Sequence, residues 1–240
     1  MNKETITASL ERRAMQVQRG GARAAVLGVN DGLVSTLCIV VGVAAAGSDS
    51  AHVLLAGFAG LLAGAISMAA GEWISVKAQV ELFEGVLSDL HDAVKNDRPL
   101  LVKNLALSFE KNGIDEKTAK HAAEDVAMSD SKLMAMYSSQ VIGINEGELG
   151  SPWVAAVSSF ALFTAGAIAP LVPWVIGLGG IQGIIVAILL TSVGALFVGG
   201  YTARSSGKNI TYGAIRQLLI VLFAALVTYG VGHLFGVATA

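Results

Sequence analysis

HVLLAGFAGLLAGAISMAAGEWISV, residues 52–76, carries one acid, Glu72, and no Lys or Arg. At ~1.5 Å of rise per residue, a helix of this length crosses the ~30 Å hydrocarbon core of a bilayer. Gly57, Gly60, Gly64 and Gly71 recur within it. Small residues at such spacing let backbones approach in lipid, which places this span at the centre of a bundle or of a dimer interface. Working outward, four further apolar stretches read as spans. The first covers about 23–46 and ends at Gly47-Ser48-Asp49-Ser50. After an insert, Ser151-Pro152 opens a third, 152–172, with proline in the first turn where it fits; Pro170 and Pro173 close it. A fourth covers about 174–201, with an irregular start at Gly179-Gly180, and a fifth about 210–236. The chain therefore reads as an all-α membrane protein of five transmembrane helices, with a helical insert between the second and third.

Composition agrees. Of 240 residues, 54% are hydrophobic and only 14% charged, against roughly 25% charged in soluble domains. Most of the charge lies in residues 1–22 and 77–150, so the chain divides into an N-terminal segment (1–22), spans one and two (23–76), the insert (77–150) and spans three to five (151–240). Arg12, Arg13 and Arg19 suit a short amphipathic helix on the membrane surface. Asn30 and Asp31 interrupt the first apolar run, which argues against a cleaved leader. Within the insert, Asp97-Arg98-Pro99, Asn112-Gly113 and Asn145-Glu146-Gly147 mark breaks between three or four helices, the first continuing out of span two. Cys38, the single cysteine, has no partner for an intrachain disulfide. No basic stripe interleaved with aromatics is present, so nucleic acid is excluded as a partner. With five spans, all 16 Lys and Arg fall on one side of the membrane. Basic residues mark the cytoplasmic side. The N-terminus and insert are thus expected in the cytoplasm and the C-terminus outside or in a lumen, in a plasma, inner or vacuolar membrane.

Ionisable groups inside a span cost ~2.5–3.5 kcal/mol on insertion scales and are usually functional. Asp31 and Glu72 qualify. Met68 lies one turn before Glu72, on the same helix face. Asp31 and Met68 each stand about eight residues from the cytoplasmic end of antiparallel neighbours, so both lie roughly 12 Å deep. A carboxylate facing a thioether suits a soft divalent cation such as Fe²⁺ or a later transition metal, whereas Mg²⁺ and Ca²⁺ want oxygen alone. The plainer readings stand beside this one. Met68 packs as any methionine does; Asp31 caps or kinks its helix or meets an Arg; Glu72 snorkels or meets Lys77. In the insert, Glu81 and Glu84, and Asp89 and Asp92 with His91 between, are three apart on a helix face, which makes either a metal site at the cytoplasmic mouth or a solvated acidic face. Met128, Met134 and Met136 read as insert core. His52, His121 and His233 show no ligand spacing, and no nucleophile elbow, P-loop or HExxH pattern occurs, so no enzyme is expected.

Asn30-Asp31-Gly32-Leu33-Val34-Ser35 resembles the first signature of the vacuolar iron transporter family. Residues 64–79, GAISMAAGEWISVKAQ, resemble its second and more specific one. Glu148-Leu149-Gly150-Ser151-Pro152-Trp153, Arg216-Gln217-Leu218-Leu219 and Thr228-Tyr229 also fit. The resemblance implies a five-helix homodimer that exchanges protons for Fe²⁺, and often Mn²⁺, moving ions from the cytoplasm to a vacuole or the exterior, with no permanently bound cofactor. It implies that Asp31 and Met68 line a pathway at the dimer interface and that Glu72 lies nearer the cytoplasmic mouth, with Asp31 and Glu72 coupling to protons. Family members also gather metal on glutamates of the insert. Here Glu81 and Glu84 remain, but Leu101, Val102, Lys103 and Asn104 replace one acidic run, and Gln140 and Val141 another. The collecting site is then weaker, rebuilt from Asp89, His91 and Asp92, or absent. A rival expectation is a metal-sensing membrane scaffold without transport.

Overall fold

A computed structural model describes residues 21–144 and 150–239. The expected N-terminal amphipathic helix, the basic residues Lys3 to Arg19, the break at Asn145-Glu146-Gly147 and the start of the Glu148–Trp153 motif lie outside the described residues. The elements are α1 (Gly21–Ala45), α2 (Ser50–Asn96), α3 (Arg98–Lys111), α4 (Glu116–Val126), α5 (Asp130–Tyr137) with a π-turn (Ser138–Ile142), α6 (Pro152–Val175), α7 (Gly180–Ser205) and α8 (Ile210–Thr239). No strand occurs among the described residues. Five helices, α1, α2, α6, α7 and α8, are long and apolar enough to span a bilayer. The continuation expected after the second span is real: α2 is one helix of 47 residues.

The chain forms two compact units, Gly20–Trp73 with Pro152–Ala240, and a second containing Ile74–Ser151. In the first, α1 is central and touches α6, α7 and α8. Its core holds Leu37, Val40 and Val41 of α1, Leu61 and Ala65 of α2, Phe163, Ala167 and Leu171 of α6, and Val221 and Ala225 of α8. The outer surface is apolar as well: Val157, Leu189, Val193, Phe197, Phe223 and Leu226 are exposed. That much apolar surface suits lipid and not water.

Glycines close the seams around α1. Gly32 lies against the Phe163 carbonyl and the Ala167 nitrogen of α6, and Gly166 of α6 lies against the Val29 carbonyl and the Leu33 nitrogen of α1. Gly232 of α8 meets the Gly42 carbonyl of α1. At these points backbone touches backbone. The membrane half of α2 is attached differently. Its backbone stands farther from its neighbours, and side chains fill the gap: Leu171 and Val40 over Gly57, Ile39 over Gly60 and the Phe163 ring over Gly64. Gly57, Gly60 and Gly64 are thus sockets for large side chains, whereas nothing lies within 4 Å of a Cβ at Gly71. Its opposite face, with Leu55, Phe58, Leu62 and Ile66, is exposed.

One boundary differs from expectation. Pro170 and Pro173 do not close α6 at 172; both are buried inside the helix, which runs to Val175. Apolar surroundings favour helix over solvated coil, and a bundle tolerates proline where neighbours supply the packing. The stop comes at Gly177 (φ 84°), where the Leu178 N–H donates to the Pro173 carbonyl at 2.9 Å and the Gly177 N–H to Trp174 at 3.2 Å. This αL glycine cap moves the start of the fourth span from 174 to Gly180.

In the second unit, Leu90, Val94, Leu101, Leu105, Phe109, Ala119, Ala123 and Leu133 form the core, with Met134 packed against it. The breaks at Asp97-Arg98-Pro99 and Asn112-Gly113 fall where expected. A third, at Ala127–Ser129, had no proline or glycine to announce it. It carries Met128 out of the core, to 84% exposure, and Met136 is also exposed, which corrects the reading of both as core. The Arg98 guanidinium stabilises that turn: Nη2 donates to the Ala127 carbonyl and to Asp130 Oδ1, both at 2.6 Å.

Candidate metal site

Three consecutive residues of α1 point in directions about 100° apart, and each meets a different environment. Asn30 turns toward α8, where its Oδ1 accepts from Gln217 Nε2. Gly32 turns toward α6 and takes the close backbone contact described above. Asp31 lies between these directions and is exposed on the surface of the bundle. The Ser35 hydroxyl donates to the Asp31 carbonyl one turn on, so the backbone here has an extra partner while the carboxylate stays clear.

Met68 reaches this region from α2. It is half-buried and packs against the bundle core. Its Cε lies 3.7 Å from where a Cβ on Gly28 would stand. Gly28 and Asp31 are three residues apart and share a face of α1, so the thioether and the carboxylate lie within about one turn along it. Glu72, one turn beyond Met68 on α2, is half-buried. Its neighbour Trp73 stacks edge-on against Trp153 of α6, ring centres 5.8 Å apart, which fixes the rotation of α2 beside Glu72. Further along α2, Lys77 Nζ pairs with Glu81 Oε1 at 3.3 Å.

The acids of the second unit are solvated. Glu81, Glu84, Asp89, His91 and Asp92 are all exposed. Among the described residues no three His, Cys, Asp or Glu side chains converge as a metal cage. Within one chain, the candidate site is therefore one exposed carboxylate with a thioether near it, and a second carboxylate one turn along α2.

Two of the polar pairs in or beside α1 were not expected from the sequence. One is Asn30–Gln217. The signal was present, since two amides lie at similar depth in apolar spans and each needs a partner. The other is Asp49–His52 in the turn after α1. Asp49 Oδ1 accepts from the His52 backbone N–H at 2.9 Å and meets the ring Nδ1 at 2.9 Å. First that backbone donor, then the ring, holds the Asp49 carboxyl below its usual range.

Comparison with known proteins gives a consistent result. The family model described as the VIT family matches residues 22–233. A protein of Acanthamoeba castellanii named vacuolar iron transporter is 32% identical over 223 residues, covering 90% of this chain and 78% of that one. Vacuolar iron transporter homolog 1 of Oryza sativa subsp. japonica is 33% identical over 220 residues, covering 89% and 73%. Vacuolar iron transporter homolog 4 of Arabidopsis thaliana is 58% identical over a shorter stretch of 60 residues, 25% and 30% of the two chains.

Proposed function

The chain belongs to the VIT family, and from that premise we propose that it exports Fe²⁺, and Mn²⁺ as a second substrate, from the cytoplasm in exchange for protons. The observation that carries the reading is Asp31: an ionisable side chain within an apolar span, on the open surface of the bundle, with the Met68 thioether about a turn away. A carboxylate facing lipid is costly. A second copy of the chain laid on this face removes that cost and doubles the donor set to two carboxylates and two thioethers, enough to replace part of a cation's hydration shell. The functional unit is then a homodimer.

Two like carboxylates brought together in a low dielectric repel each other. Either a divalent cation or a proton relieves the repulsion, and replacement of one by the other is the coupling step. Metal enters from the cytoplasmic side past Glu72, rests at Asp31 and Met68, and leaves when a proton from the acidic side neutralises Asp31. Oxygen donors accept any of the divalent ions, while the thioether favours the softer ones. Glu81, Glu84, Asp89 and Asp92 form a solvated acidic approach on the cytoplasmic extension of α2, with Glu81 partly neutralised by Lys77. The orientation follows the basic residues.

The experiment is Asp31→Asn in proteoliposomes under an imposed proton gradient. Loss of pH-driven Fe²⁺ uptake is expected. Uptake at the wild-type rate refutes the coupling role of Asp31. Wild-type protein that binds metal yet carries no flux favours a metal-sensing scaffold.

A further inference from the structure

Asn30 and Gln217 link α1 to α8 by a hydrogen bond between two amides, and both are partly buried within spans. On the other side of Gln217, α8 packs on α7 without spacing: the Gln217 Cβ lies 2.7 Å from where a Cβ on Gly199 would stand, and Gly213 meets the Gly199 carbonyl backbone to backbone. The stem of Gln217 is therefore wedged by α7, and its amide is held toward α1. From the opposite side, Gly32 sits flush on α6. Helix α1 is thus gripped on both sides of Asp31, by a polar bond through residue 30 and by a backbone seam through residue 32.

We propose that Asn30 and Gln217 are a positioning pair that sets the rotation of α1 and so keeps the Asp31 carboxylate on the open face of the bundle. The inference rests on the transport reading for its functional consequence and on the geometry alone for its structural one. The chemistry of the pair matters. A Lys or Arg at 217 would compete for the neighbouring carboxylate and neutralise it, and an apolar residue would leave the Asn30 amide unpaired in lipid, free to turn α1 in search of a partner. Two neutral amides satisfy each other and leave the charge of Asp31 available.

The test uses the full chain in proteoliposomes, with Asn30→Leu, Gln217→Leu and both together. Half-saturating Fe²⁺ is read separately from maximal rate, each per unit of folded protein. Single substitutions are expected to raise half-saturation by roughly three- to tenfold, the range that one membrane hydrogen bond supports, and the double substitution no further than the larger single. Combining Asn30→Gln with Gln217→Asn keeps the summed side-chain length and should return half-saturation to near wild type. This exchanged pair and its two components serve where the leucine variants do not fold. Unchanged half-saturation in the singles, multiplying effects in the double, or no recovery in the exchange overturns the pair.

A readout independent of transport is Asp31→Cys in a Cys38→Ser background, labelled with a water-soluble maleimide. Adding Gln217→Leu should slow labelling several-fold, and an unchanged rate overturns the positioning role. If Asp31→Asn transports normally, the transport reading fails and labelling alone decides the pair. If Asp31→Asn is inactive but Asn30→Leu matches wild type in both assays, only the pair fails.

Discussion

Replacing Gly32 with alanine adds one methyl group where the bundle has no room for it. The new Cβ would press on the Phe163 carbonyl and stand 2.9 Å from the Ala167 nitrogen. Ordinary contact begins at 3.4 Å, and both obstacles are backbone, so no side chain can swing aside. Helices α1 and α6 must separate by about an ångström or more, which a close-packed interior resists. Such overpacking costs about 3 kcal/mol at the upper part of its usual range, and alanine recovers about 1 kcal/mol through helix propensity. The net expectation is a loss of ~2 kcal/mol. Gly230→Ala is the matched control: nothing lies within 4 Å of its Cβ, so the propensity gain stands alone and the variant should be more stable by about 0.5–1 kcal/mol. The assay is reversible unfolding of the purified protein in mixed micelles titrated with SDS, followed by helix content. Two variants of equal stability, or a Gly32→Ala variant matching wild type, would refute the claim that α1 and α6 meet at backbone distance.

Arg98→Met removes both hydrogen bonds that Nη2 makes to the Ala127–Asp130 turn and should destabilise the second unit by about 1–2 kcal/mol, discounted because the pair is partly exposed; hydrogen exchange at residues 127–130 should rise while that of α1 does not. Asp49 is held below its usual value of 3.8, so its ionised form favours the folded turn above that pH, and the contribution fades as pH falls through the still lower folded value. Protection of the His52 amide should therefore persist from about pH 8 to 5 and be lost on acidification below about 4; protection that does not fall on acidification would remove the Asp49 carboxylate from the turn. Met68→Leu keeps volume and apolar character, at a cost under about 1.5 kcal/mol, and should lower Fe²⁺ uptake relative to Mn²⁺ in competition under one gradient. An unchanged ratio removes the thioether from the pathway.

The spans were legible because an apolar run of helical length has one use in a folded chain, and the continuation of α2 because its helical spacing does not stop at Val76. Where reading failed, a local rule met a competing environment. Pro170 and Pro173 are breakers in water, but here they lie in buried helix, and Gly177 supplies the stop. Met128 has the composition of core yet occupies a turn that neither Gly nor Pro announced. Asp31 stood out as an acid among apolar residues, whereas its flanks, Asn30 and Gly32, gave no hint of their separate partners. Those partners lie more than a hundred positions away in the chain, and periodicity carries no information over that distance. The histidine at 52 was set aside for lacking ligand spacing, although its distance of three from Asp49 is the spacing of a capped first turn.

The unequal attachment of the spans has a mechanical consequence. Where α1 meets α6 and α8, backbone rests on backbone, and squeezing the protein finds nothing to compress. Beneath α2 the contact is made by Leu171, Val40, Ile39 and the ring of Phe163, which can change rotamer. Lateral pressure from a stiffer or thicker bilayer therefore displaces α2 first, and with it Met68, while Asp31 keeps its place.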